Sequence, residues 1–217
     1  MNTISFNEQE TAKIRETVEL YLFVKELLIY NEIIDPNSYT FPQIINELKN
    51  AYDHFNRVLA EKLEITEKKS EDYSIKTLDK ALGHIYRACY DALDWLSINI
   101  TQDIKEELKS FSHEAIKEVI PTYYKEIRPA LPQYERRITA LRAEKDIASI
   151  NDSDLTEYTQ IVKDLSDIRQ KIKDSVNALA EYDSKKKKES RLQDLKNILV
   201  GVIIGLIIAA VSWVLTS

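Results

Sequence analysis

The chain has 217 residues, few Gly (3) and Pro (5), and an abundance of Glu, Lys, Leu, Ile and Ala, a composition that favours helix over strand. Its formal net charge of −6 rules out a global basic field for nucleic acid, so any polyanion site must be local. A single cysteine, Cys89, excludes an internal disulfide framework and fits a reducing compartment.

The N-terminal MNTISFNEQE lacks a basic stretch followed by an apolar run, so no signal peptide is expected. The first helix is predicted over about 6–33, capped by Ser5 with Glu8, with Leu20, Val24, Leu27 and Leu28 forming its apolar stripe. Asp35-Pro36-Asn37-Ser38 ends it. Thr40, with Pro42 and Gln43, is expected to cap a second helix that runs to about Ile65. The polar stretch 66–72 reads as a turn. A third helix starts near Tyr73 and extends to about 111, with Asn99 and Thr101 as places where it bends or breaks.

Residues 110–121 suggest a short helix closed by Pro121, and Pro129 and Pro132 mark another break. A helix is then expected over about 133–149. Asn151-Asp152-Ser153-Asp154 interrupts and caps the next one, which runs from Leu155 to at least Tyr182. There is no alternating strand pattern and no Gly-rich phosphate loop. The fold class is all-α: a cytosolic helical bundle, then a long stalk-like helix, then one C-terminal transmembrane helix.

In residues 155–182, Tyr158, Ile161, Leu165, Ile168, Ile172, Ser175, Leu179 and Tyr182 follow alternating three- and four-residue steps. That rhythm is compatible with a coiled-coil stalk or with packing on the chain's own bundle. Next comes the basic run KKKKESR, 185–191, and then ILVGVIIGLIIAAVSWVL, 198–215, which carries no charge. As a helix this apolar run spans about 27 Å, close to a hydrocarbon core. Lysines beside it place the preceding chain on the cytoplasmic side. The expected layout is a sensor bundle over 1–150, a heptad-like stalk over 151–197 and a membrane helix over 198–215. The expected location is the inner (cytoplasmic) membrane, single-pass and tail-anchored. Gly201, Gly205 and Ala209 recur every fourth residue and allow close helix approach in lipid, so homo-oligomerisation through that face is expected.

The segment AYDHFNR, 51–57, returns thirty residues later as ALGHIYR, 81–87. The chain has three histidines, and two of them lie in this repeat. In a hairpin closed near Lys69, residues equidistant from the turn lie at the same height. His54 should therefore face His84, with Arg57 opposite Ala81 and Arg87 opposite Ala51. Such a cluster suits a phosphate, which Arg binds bidentately and His can supplement. Tyr52, Tyr86 and Tyr90 are nearby in sequence and offer stacking surfaces for a base. The candidate ligand is a nucleotide or short oligonucleotide. The alternative is structural: Asp53 and Asp91 stand four residues from Arg57 and Arg87, the spacing of ordinary intrahelical ion pairs. A second basic cluster, Arg128, Arg136, Arg137 and Arg142 with Tyr123, Tyr124 and Tyr134, either extends an anion groove or forms a solvated face.

No metal or other cofactor and no enzyme activity is expected. Neither His54 nor His84 belongs to a Glu-x-x-His pair, and there is no His-Glu-x-x-His or Gly-x-Ser-x-Gly. The Arg-then-His spacing of HEPN-type nucleases is also missing.

The order of parts (helical sensor, basic juxtamembrane run, Gly201/Gly205 membrane helix) resembles the small membrane effectors of bacterial anti-phage defence, of the Hailong type. The resemblance is architectural. It implies a channel-like oligomer, regulation by an oligonucleotide, a nucleotidyltransferase partner protein and growth arrest as output. The same order of parts is also similar to syntaxin-like SNARE proteins, although the heptad tract is about half the expected length and Arg169 and Gln170 fall off its seam. A membrane-anchored tether or scaffold is thus the alternative.

Overall fold

The computed structural model describes residues 4–35, 41–143 and 152–216, with side-chain surroundings as far as Ile208. The described residues are helical and contain no strand. In order they form α1 (Glu8–Ile34), α2 (Pro42–Lys62), α3 (Tyr73–Lys109), α4 (His113–Val119), a π-helical turn (Tyr123–Ile127), α5 (Arg128–Ala143) and α6 (Asp152–Thr216).

Helix α3, 37 residues long, is the axis of the fold. Its apolar positions recur on more than one face: Leu78, Leu82, Leu93, Leu96, Ile100 and Ile104 are all fully buried. A helix apolar on several faces must be covered on several sides. Its first half is covered by α1 and α2. The Glu10–Lys62 ion pair (2.8 Å) fixes α1 antiparallel to α2. Lys13 pairs with Asp79 (3.3 Å) and Asn31 donates to the Ala92 carbonyl (3.3 Å), so α1 and α3 run in the same direction.

The second half of α3 is covered by α5 and α6. Helix α5 runs antiparallel to α3, with Arg142 on Asp94 (3.1 Å) and Lys105 on Glu135 (3.1 Å). Helix α6 runs parallel to α3. Tyr158 donates to Asp94 (2.5 Å), Arg169 pairs with Asp103, and Lys173 reaches Glu107 (3.7 Å). Burial, and then the adjacent Asp94 carboxylate, push the Tyr158 hydroxyl's pKa upward.

Several expected boundaries shift. The cap of α1 is Asn7, whose side chain accepts from the Glu10 amide (2.9 Å) while Glu10 accepts from the Asn7 amide (2.9 Å). Ser5 stays outside the helix, and the next residue, Phe6, has the Lys62 ammonium over its ring, 5.7 Å from the centre. Thr40 lies outside the described residues, and α2 starts after Phe41, which makes no side-chain cap and instead stacks on Trp95 at 5.3 Å. Helix α3 does not break at Asn99 or Thr101, because burial of Leu96 before them, Ile100 between them and Ile104 after them outweighs the weak local propensities. Helix α5 begins earlier than expected. Pro129 sits in its first turn, where a missing N–H costs little, and Pro132 lies inside the helix, which follows directly on the π-helical turn. The expected extension to 149 lies outside the described residues.

The heptad face of α6 packs on the chain's own bundle. Tyr158, Ile161, Leu165, Ile172 and Leu179 are buried, with Ile168 and Tyr182 packed beside them. Arg169, expected off the seam, is buried against α3. Residues 158–182 of α6 therefore lie along the bundle. Contact with the body ends at the start of α4. There Ser112 caps α4 by accepting from the Ala115 amide (3.1 Å) and donates its hydroxyl to Asp183 (2.6 Å). Glu114 takes Tyr182 (3.1 Å) and Lys186 (2.9 Å). From Lys187 to Ile208 every side chain is exposed.

Helix α6 is nevertheless continuous. Its 65 residues extend about 97 Å, without interruption at Ser184. Among the described residues, no helix carries an apolar window long enough to cross a membrane. The apolar run starts at Ile198, and its side-chain surroundings are described to Ile208. The side chains beyond it, Ala209 included, lie outside the described residues. Gly201 and Gly205 face open space, with no atom within 4 Å of where a Cβ would stand.

Candidate functional site

The α2–α3 hairpin brings His54 and His84 face to face. Their ring centres are 5.2 Å apart and their planes 21° from parallel. The register read from the repeat is the one the chain adopts. The two arginines part company. Arg87 lies inside the cluster: its Nε donates to Glu47 Oε2 (2.8 Å), and its Nη2 is 2.6 Å from His84 Nδ1. That same Nδ1 is 2.7 Å from Glu47 Oε2. Arg57 instead pairs with Asp53 on its own helix (2.7 Å) and is 58% exposed. An exposed pair at that spacing contributes about 0.3–0.5 kcal/mol. For Arg57 the local ion-pair reading holds.

The site is thus a trio, Glu47–His84–Arg87, with His54 stacked on its histidine. Glu47 is the member that the repeat does not reveal, because its counterpart thirty residues on is Thr77. The available signal was helical spacing. Glu47 precedes His54 by seven residues, two turns back on the same face of α2.

The Glu47 side chain is 11% exposed. Burial disfavours its charge, but the hydrogen bonds from His84 and Arg87 outweigh that and hold the carboxyl below its ordinary value. His84 Nδ1 can serve only one neighbour at a time. Carrying a proton it donates to Glu47; without one it accepts from Arg87. On the other ring, His54 Nδ1 is buried with no hydrogen-bond partner. Burial first, then the His84 and Arg57 charges, push the His54 pKa down. The stack therefore favours a neutral His54.

The tyrosines do not gather around the pair. Tyr52 is 70% exposed on the outer side of α2, Tyr86 is buried in the core, and Tyr90 packs on Tyr158 with ring centres 6.3 Å apart. Arg136 bonds the Pro132 carbonyl of its own helix (3.2 Å), and Arg137 pairs with Glu157. Helix α5 meets α3 between Asp94 and Lys105, a stretch that starts about 15 Å along the helix from His84. The two basic clusters therefore belong to different halves of the fold. Among the described residues, no three His, Cys, Asp or Glu side chains group to hold a metal ion.

No protein-family model, no curated protein and no solved structure matches the chain.

Proposed function

We propose that the chain is a membrane-anchored effector. Its helical body responds to a nucleotide-like or oligonucleotide anion and controls an oligomeric membrane pore, in a role such as anti-phage defence. The observation that carries this reading is the continuity of α6. One helix contributes core residues to the bundle, passes an exposed basic run at Lys185–Arg191 and enters the apolar run from Ile198. A rigid rod of this kind transmits displacement from the body to the bilayer. The membrane helix over 198–215, with the Gly201/Gly205 face as its oligomer contact, belongs to the proposal, as does a nucleotidyltransferase partner that supplies the ligand.

The Glu47–His84–Arg87 trio is the proposed point of response. Its two donors are already engaged by a carboxylate, so an incoming phosphate competes with Glu47 and loosens the α2–α3 contact that Glu47 makes. The tether reading is weaker, because the heptad face that would zip to a partner is occupied by the chain's own core.

The test is dye release from liposomes carrying the full chain, with nucleotides and short oligonucleotides added in turn. The reading predicts that one of them changes release. It also predicts that Arg87→Ala or His84→Ala abolishes the response with helicity retained, and that Gly201→Leu with Gly205→Leu abolishes release itself. Release that no added ligand alters, or that survives all these substitutions, contradicts it.

A further inference from the structure

The half of the bundle built from α1, α2 and the start of α3 has three helices, and its α1/α2 edge is open. An apolar groove of about 570 Å³ runs along that edge. Val18 and Tyr21 form one wall, Ile45 and Tyr52 the other, and Ile85 of α3 lies at the floor. All four wall residues are substantially exposed. Helix α1 explains why the edge is unusual. It buries Val24, Leu27 and Ile34 inward and still exposes Val18, Leu22, Ile29 and Ile33 outward. A helix apolar on both sides is one normally covered on both sides.

The form of the surface selects the occupant. The apolar surface continues past the groove along α1 to Ile33, about 22 Å from Val18. A small ligand or single acyl chain would fill the groove and leave that surface bare. A helix laid against an antiparallel pair would cover both, completing a four-helix packing. Charge narrows the choice further. Lys49 is the one charged residue lining the groove, and it has no ion-pair partner among the described residues. The next charged position on the groove side of α1, Lys25, likewise has none.

We propose that this groove docks an amphipathic helix of a partner protein, one with apolar residues at i, i+3/i+4 and i+7 and carboxylates on the flank that meets Lys49. The proposal stands independently of the membrane and ligand readings above.

The experiment uses the purified full chain and two fluorescein-labelled helical peptides of about 15–20 residues. Both peptides carry the same Leu face; one has Glu and the other Lys on its flanks. Fluorescence anisotropy should show saturable binding of the Glu peptide and at least about tenfold weaker binding of the Lys peptide. Lys49→Glu should reverse that order. Ile45→Asp should remove binding of both with the far-UV circular dichroism unchanged. Three results would each overturn the proposal. Neither peptide binds, binding ignores Lys49→Glu, or sedimentation shows that Ile45→Asp dissociates an oligomer, which would make the groove a contact between copies of this chain.

Discussion

Glu47→Gln is the most informative single substitution in the α2–α3 hairpin. The wild-type carboxylate oxygen Oε2 receives Arg87 Nε at 2.8 Å and lies 2.7 Å from His84 Nδ1. A hydrogen bond to a charged group contributes about 1.5–3 kcal/mol when well desolvated. Here the side chains of Glu47, His84 and Arg87 are 11%, 18% and 24% exposed, so solvent weakens the effect, and glutamine keeps one acceptor oxygen. The expected loss is about 1.5–2.5 kcal/mol, which for a chain of this size lowers Tm by roughly 4–8 °C. Thermal melts of the solubilised full chain, followed by circular dichroism, measure it. A double-mutant cycle with Arg87→Met should return a coupling of about 1–2 kcal/mol. Wild-type stability in Glu47→Gln, or strict additivity in the cycle, would refute the claim that Glu47 holds the cluster together.

Acid should weaken the fold in two steps. The His54 pKa is depressed in the folded chain, so its contribution is complete above its ordinary value of 6.5 and is lost as pH falls through the folded value. Glu47 is also depressed, so its contribution is complete above 4.5 and disappears at lower pH still. Urea midpoints between pH 7.5 and 5 should therefore fall in the wild type and stay flatter in His54→Gln; parallel curves would contradict the assignment. Gly83→Ala should stabilise by up to about 1 kcal/mol, since a Cβ there meets only Arg87 Nη1 at 3.8 Å and alanine is the better helix former; a lowered Tm would count against the described packing. Ser112→Ala removes the α4 cap and the hydroxyl's bond to Asp183 while the backbone amide's bond to Asp183 stays, at about 1 kcal/mol. Hydrogen exchange should then accelerate in α4 and in α6 around Tyr182–Lys186, and unchanged exchange would show that α6 is not held there.

The helices were legible in the sequence because their apolar spacing and breakers are local signals. The hairpin register was legible for a different reason. The repeat puts a rare residue type at matching distances from one turn, and only one register stacks His54 on His84. The division of labour between the arginines was not legible. Both have a carboxylate four residues away, and only the three-dimensional approach of α2 to α3 gives Arg87 the Glu47 partner that Arg57 lacks. The heptad rhythm of α6 was legible as a pattern but not as a destination. A three-four spacing specifies a buried seam without saying whether the cover is another chain or, as here, α3 of the same chain. Arg169 shows the limit of reading a seam alone, because Asp103 on α3 accommodates its charge in a place a seam would exclude. The open groove between α1 and α2 could not be read at all, since Val18, Leu22 and Ile29 look like core residues until the core is seen on the other side of α1.

The central claim is that α6 carries the bundle's state into a bilayer. Alkaline carbonate extraction of membranes from cells expressing the full chain, beside a chain ending at Arg191, tests its first requirement. The account predicts that the full chain stays with the membrane pellet and the shortened chain is released. Release of the full chain into the supernatant would contradict it.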